Sequence, residues 1–267
     1  MSAERARRPT SPQRLAVIVP VFQEATGIRP TLEHLAAQRD GDVDVWFVDN
    51  GSTDGSRAVI ERFAAERGLS RWRVVDEPQK GTGAAADTGM RAAIADGATM
   101  LARTDADCLP RLDWTARIRH ALRPRSDGGL GLELVAGLLV PRHDEGLGLA
   151  TRAALRGAVA LATAFGVVRP SNNGPEFHGP YVMTAGCNVA ITASMYVASG
   201  GFPRTAIEEL HEDRALVNAV RRLTGSYASR RDVVVRGSSR RVQAWGLRNT
   251  LLWYKDHAYR PEHVDIR

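Results

Sequence analysis

Asp105 and Asp107 stand two residues apart in TDADC, directly after an apolar run. Two carboxylates on a tight turn can hold a hard divalent cation, with a diphosphate supplying the remaining oxygens. The plainer reading is a polar turn, where Asp is common. VDNGSTDGS, Val48–Ser56, also follows an apolar run. Its Asp49 could accept the N–H of a nucleobase such as uracil; equally, Asn50–Gly51 is a turn and Asp54 or Ser56 a helix cap. QKGTGAAADTG, Gln79–Gly89, holds Gly81, Gly83 and Ala86 in a G-x-G-x-x-A spacing. A dinucleotide site would want that turn hard against the first strand of the fold, and here it lies much later. The better reading is a glycine turn entering a helix, with backbone N–H groups and Lys80 open to phosphate. Lys80 and Lys255 are the two lysines among 36 basic residues. In LHEDRAL, Glu212 and Asp213 fall early in a helix, where acids suit the helix dipole or could serve as a general base. Neighbouring helical residues point about 100° apart, so one of the pair would face a site. TAGCNVAI (Thr184–Ile191) and SGGFP (Ser199–Pro203) are small-residue turns that let a ligand or a second segment approach. His178 and His211 are isolated and read as structural.

The elements that would carry these residues follow from the apolar periodicity. Leu15–Val19, Val43–Val48, Trp72–Val75 and Thr99–Arg103 read as buried strands, the first ended by Pro20. Helices alternate with them over Ile28–Gln38, from Asp54 or Ser56 to about Arg67, and over Gly83–Asp96. This alternation predicts a parallel α/β sheet, in which ligands sit at the carboxyl ends of the strands. Pro20–Glu24, Asp49–Asp54 and Asp105–Asp107 then share one sheet edge. Farther on, Asp113–Leu122, Leu149–Val168, Ala193–Ala198 and Ile207–Arg222 read as helices. Leu134–Val140, Val182–Ala185 and Asp232–Val235 read as strands, and Ser171–Pro180 as a loop.

The chain has 267 residues, 43% hydrophobic and 25% charged, which suits a globular domain and excludes disorder throughout. The uncharged stretch Gly157–Val168 is shorter than the roughly 20 residues of a spanning helix. The start, MSAERARRPTSPQR, shows no apolar signal core. Two cysteines, Cys108 and Cys187, suggest neither a disulfide framework nor a zinc site and fit a reducing, cytoplasmic compartment. Of the net charge of +6, residues 1–14 carry +3 and residues 226–267 carry +5, leaving −2 for the body. Basic ends on such a body argue against a nucleic-acid domain but could meet phosphates or an anionic membrane face.

The order VPVFQE, VDNGSTDGS, KGTGAAADTG, TDADC, AGCNVAI, GGFP, HEDRAL resembles family 2 glycosyltransferases from about Leu15 to Leu223. The resemblance implies the GT-A fold, a Rossmann-like, mostly parallel central sheet flanked by helices. It implies transfer of one sugar from a nucleotide-sugar donor, UDP-linked first of all, with inversion and with Mg²⁺ or Mn²⁺. Pro20, Val21 and Glu24 would line the nucleoside pocket, Asp49 would contact the base, and Lys80 would lie near the nucleoside or phosphates. Asp105 would sit near the ribose or the metal, and Asp107 would be the main metal ligand. The turn from Gly186 to Asn188 would border the sugar. Asp213 would be the catalytic base, with Glu212 beside it. The implied organisation is a basic, disordered tail (1–14), a catalytic domain (15–225) and a basic extension (226–267) packed on or near the site. Within the domain, 15–110 would bind donor and 111–225 acceptor.

The Q-x-x-R-W signature of processive members is missing, since Gln243-Ala244-Trp245 departs from it. A single transfer is therefore expected, to a hydroxyl or amine of a small-molecule, lipid-linked or glycan acceptor. A lipid-linked acceptor would explain peripheral contact at the inner membrane face. Arg240 and Arg241 could reach a phosphate or an anionic acceptor, but the surface reading is preferred. Two rival readings stand. A sugar nucleotidyltransferase would want a G-x-G-T-R loop after the first strand, which VPVFQEATG lacks. A catalytically idle scaffold would bind no nucleotide.

Overall fold

A computed structural model of the chain describes residues 13–146, 148–168, 170–204, 212–240, 242–246 and 249. The expected tail up to residue 12, His211, Arg241 and residues 250–267 lie outside the described residues, as does the start of the helix expected at Ile207.

The first half alternates strand and helix as the periodicity predicts: β1 (Leu15–Val21), α1 (Arg29–Ala36), β2 (Val43–Asp49), α2 (Ser56–Glu66), β3 (Trp72–Asp76), α3 (Thr82–Ala95) and β4 (Met100–Arg103). The second half is less regular: β5 (Leu109–Pro110), α4 (Trp114–Leu122), β6 (Leu134–Pro141), α5 (Leu149–Val168), β7 (Val189–Thr192), α6 (Ala193–Ala198), α7 (Glu212–Leu223) and β8 (Tyr227–Gly237). All strands join one mixed sheet in the order β3-β2-β1-β4-β7-β6-β8-β5. β1 to β4 run parallel, so the carboxyl ends of β1, β2 and β4 share one edge. β7 runs antiparallel to both β4 and β6 and links the two halves.

β1 is apolar on both faces because both are covered. Val17 and Val19 face the cluster under α1, α2 and α4, whereas Ala16 and Ile18 face the cluster under α3, α6 and α7. Pro20 does not end β1 as expected. Ile18 O accepts from Thr104 N and Val21 O from Asn50 N, so strand alternation turns the Pro20 nitrogen towards β4. β4 pairs with β1 only as far as Ile18, and the missing N–H costs no ladder bond.

Two other expectations are corrected. Val182–Ala185 is irregular, and the strand comes later, at Val189–Thr192, where it can pair with β4 and β6. The N-cap position of α2 is Gly55 at φ +89° and not Asp54 or Ser56, but Asp54 Oδ1 still accepts from the first N–H of the helix, that of Ser56 (3.0 Å). β8 lies within the stretch expected as an extension, yet it sits in the sheet between β6 and β5. Among the described residues, no helix is long and apolar enough to cross a membrane.

Candidate active site

The site lies at the carboxyl edge of β1, β2 and β4. A cavity of about 170 Å³ is lined by Pro20, Val21, Glu24, Asn50, Asp105 and Asp107, together with Phe22, Ala106 and the first turn of α3. The polar residues of the loops after β1 and β2 bind one another. Glu24 N donates to Ser56 Oγ (2.8 Å), and Ala25 N donates to Asp54 Oδ2 (2.8 Å). Asp54 Oδ1 accepts from the Ser56 hydroxyl (2.6 Å). Thus STDGS fixes the backbone that presents Glu24.

Asn50, which the sequence showed only as a turn residue, ties β2 to the glycine turn. Its Nδ2 donates to Glu77 O (2.8 Å) and Gln79 O (2.7 Å), and its Oδ1 accepts from Gly81 N (2.9 Å). Gly81 takes φ +133°, a conformation that suits glycine, and α3 begins at the next residue. Thr82 and Ala85 place the first turn of α3 on the cavity wall, where free N–H groups favour an anion. A Cβ on Gly89 would lie 2.7 Å from methyls of both Ile18 and Val48, so α3 packs directly on β1 and β2.

The acid pair of α7 reaches the same place through a residue that the sequence reading missed. Arg103, at the end of β4, is 2% exposed. Its Nε donates to Asp105 Oδ1 (3.2 Å) and its Nη1 to Glu212 Oε1 (3.4 Å), while the guanidinium lies 5.2 Å from the Phe202 ring centre. A charge inside an apolar strand, just before an acidic turn, was the available signal. Two glycines make room for this assembly. A Cβ on Gly186 would lie 3.2 Å from the Arg103 guanidinium, and one on Gly83 would lie 2.5 Å from Pro203 O and 3.4 Å from Glu212 Cβ. Arg204 anchors the chain beyond Pro203, donating to Glu77 (2.7 Å) and Thr88 (2.9 Å).

Burial pushes the Asp213 carboxyl up to about 6, and the Glu212 charge adds to this. Backbone N–H groups of Arg214 and Gly186 and the Arg103 charge pull the other way. Asp213 can therefore accept a proton near neutral pH. Burial also pushes up Asp105, with the charges of Asp107 and Glu212 against Arg103. Glu24 is 8% exposed and is pushed up by burial, which Arg240 opposes.

The remaining expected residues fall as follows. Asp49 ends β2 and accepts from Ser52 N (3.0 Å); its neighbour Asn50, rather than Asp49, lines the cavity. Lys80 is exposed on the turn before α3 and is not part of the cavity lining. The Asn188 side chain has no polar atom free for a sugar. It is fully buried, its Oδ1 accepting from Trp114 Nε1 (2.9 Å) and its Nδ2 donating to Leu138 O and Val233 O (both 3.0 Å). Every polar atom of that amide is committed to holding α4, β6 and β8 together. Arg240, expected on the surface, lies against Glu24 and Asp107. The two cysteines are free and buried. Contact with Cys187, and then burial, pushes the Cys108 thiol up, so it is no ready nucleophile.

The donor set suits a hard divalent cation. Asp105 and Asp107 supply carboxylate oxygens, and Asp107 already binds one positive group, the Arg240 guanidinium. Glu24 Oε2 is buried without a hydrogen-bond partner. Among the described residues no cluster of three His, Cys, Asp or Glu exists that could hold a metal alone. The remaining ligands would have to come from diphosphate and water.

Comparison with known proteins agrees with this geometry. Residues 16–128 match the family model described as Glycosyl transferase family 2. Glycosyltransferase AglE of Haloferax volcanii is 31% identical over 125 residues, which are 46% of this chain and 38% of that protein. The mannosyltransferase PcManGT from Pyrobaculum calidifontis, solved with GDP-Man and Mn²⁺, is similar in structure with a TM-score of 0.59 at 21% identity, over 84% of this chain and 56% of that one. Glucosyl-3-phosphoglycerate synthase from Mycobacterium tuberculosis, solved with Mn²⁺, UDP and phosphoglyceric acid, is similar with a TM-score of 0.52 at 15% identity, over 94% and 81% of the two chains. This chain thus spans well under half of the curated relative and just over half of PcManGT. Residues 16–128, which carry β1 to β4 and the acidic turn, match the glycosyl transferase family 2 model, and the chain shares the GT-A fold of these solved structures.

Proposed function

We propose that this chain is a divalent-metal-dependent, inverting glycosyltransferase that moves one sugar from a nucleoside diphosphate donor to a hydroxyl or amine. One observation carries the reading. Arg103 joins the acidic turn after β4 to Glu212, the neighbour of Asp213 on α7, which supports a proton acceptor close to the leaving diphosphate. The cavity and the first turn of α3 supply an edge with N–H groups for phosphate. Asp105 and Asp107 would hold Mg²⁺ or Mn²⁺, which neutralises charge on the leaving diphosphate. The relatives solved with GDP-Man, UDP, Mn²⁺ and phosphoglyceric acid support this choice of ligands.

Asp213 takes the proton of the acceptor as its oxygen or nitrogen attacks the anomeric carbon. One carboxylate serves for direct displacement, so the configuration inverts. Glu212 stays paired with Arg103 and keeps that arginine between the two acidic groups. Residues 15–110 bind the donor in this account, and the acceptor meets the later elements, β8 included. A small-molecule, lipid-linked or glycan acceptor fits, and the departure at Gln243–Trp245 favours one transfer per encounter. A lipid-linked acceptor would bring the protein to the inner face of the membrane.

The test is release of nucleoside diphosphate from UDP- and GDP-sugars by the wild type and by Asp213→Asn. Metal-dependent release that falls about 10²–10⁴-fold in the variant supports the assignment. Equal rates would reject Asp213 as the base.

A further inference from the structure

The acidic turn holds a cation that the chain itself supplies. Arg240 Nη2 lies 2.6 Å from Glu24 Oε1 and 3.0 Å from Asp107 Oδ2. Two features make this a built contact and not a chance surface pair. First, a Cβ on Gly27 would lie 2.8 Å from Glu24 Oε2 and 3.2 Å from Arg240 Nη1, so glycine provides the room in which the pair sits. Second, the segment that carries Arg240 is tied to the far side of the same turn. The Ser238 and Ser239 hydroxyls donate to Glu145 (2.9 and 2.6 Å). Arg142, itself buried, pairs with Asp144 and Glu145 and donates to the backbone carbonyl of Asp107 (2.9 Å). One anchor thus holds the backbone of Asp107, and the other its carboxylate.

Two cations cannot share the Asp107 carboxylate without direct repulsion. A divalent ion arriving alone at Asp107 meets the charge of Arg240, and turning Arg240 out into water would leave the buried Glu24 without its partner. An ion arriving with a diphosphate brings new anionic oxygens, which a guanidinium fork can bind in pairs. The Arg240 side chain is 34% exposed, so it can swing away from Asp107 without disturbing packed residues.

We propose that Arg240 is a placeholder cation: it neutralises Glu24 and Asp107 until donor and metal bind, yields Asp107 to the incoming divalent ion, and transfers its guanidinium to the diphosphate of the nucleotide. This makes metal and nucleotide binding mutually dependent, and it rests on the donor reading given above. The coupling is reciprocal by thermodynamic necessity.

The account requires effects of opposite sign from one substitution. Mn²⁺ alone is titrated into the full chain by electron paramagnetic resonance. UDP, GDP and dTDP are then titrated by calorimetry at saturating Mn²⁺. Arg240→Ala should bind free Mn²⁺ about tenfold more tightly than the wild type, and the nucleotide that the wild type prefers about tenfold more weakly. Arg240→Lys, which keeps the charge but loses the fork, should bind Mn²⁺ alone as the wild type does and still lose nucleotide affinity. It also serves if the alanine variant does not fold, as judged by its melting temperature. Nucleotide and metal affinities that both ignore Arg240, or that shift in the same direction, overturn this inference and leave the donor reading standing. Failure of UDP, GDP and dTDP alike to bind the wild type at any Mn²⁺ concentration overturns the donor reading, and the inference falls with it.

Discussion

Replacing Asn188 by Ala separates the two roles that this residue could have had. The amide makes three hydrogen bonds: those with Trp114 Nε1 and the Val233 carbonyl are buried, and the one to the Leu138 carbonyl is part-buried. Alanine removes both amide atoms and leaves a buried indole N–H, a buried carbonyl and a part-buried carbonyl without that partner. Each orphaned group costs about 1–3 kcal/mol, and relaxation recovers part of that, so the loss should be about 3–5 kcal/mol. A neighbouring glycine, Gly137, has no side chain because the Asn188 amide fills that space, so Ala also leaves a small void. For a domain of this size each kcal/mol moves Tm by about 2–4 °C, which gives a fall on the order of 10 °C. Differential scanning calorimetry reads the shift, and titration with UDP or GDP and Mn²⁺ below the new Tm reads the site. The expected result is a large fall in Tm with nucleotide affinity within about threefold of the wild type. An unchanged Tm with lost nucleotide affinity would refute the reasoning and return Asn188 to the sugar pocket.

Asp213, pushed up to about 6 by burial and by Glu212, sets the acid limb of turnover: the rate should fall about tenfold per pH unit below that value, and a limb centred near 4 would contradict the role. Because its folded value lies above the ordinary one, the protonated form favours the native state, and this contribution is lost as pH rises through about 6. Asp213→Asn should therefore melt higher than the wild type at pH 7–8, with the gap closing near pH 4. Gly89→Ala pushes a methyl to 2.7 Å from Ile18 and Val48 and should cost about 1–3 kcal/mol, read by urea denaturation; a neutral result would mean that α3 does not pack on the sheet as described.

The donor half was legible because its signals are local. Short apolar strands end in Glu24, Asp49 and Asp105–Asp107, and parallel alternation alone sends those ends to one edge. The later half depends on contacts between distant segments. YVMTA at 181–185 has the apolar content of a strand, but the partner ladder of β4 starts eight residues after Tyr181, at Val189. Only DVVV of β8 looked like a strand. Arg230 and Arg236 hide its remainder, because it pairs with β6 on one side and the short β5 on the other and leaves charged side chains partly outside. Arg103 was passed over because a buried arginine is intelligible only once Asp105, Glu212 and Phe202 are seen around it. Asn188 shows the opposite case. A polar residue in a glycine turn resembles a ligand group until Trp114 is found donating to it.

The central claim is that the edge of the sheet binds a nucleoside diphosphate through a divalent ion on Asp107. Isothermal titration of the chain with UDP, GDP and dTDP, each with and without Mn²⁺, tests it most directly. The account predicts that one nucleotide binds, that binding requires the metal, and that Asp107→Ala abolishes it while the melting temperature stays close to that of the wild type. Absence of binding by all three nucleotides, or binding that survives both metal removal and Asp107→Ala, would contradict it.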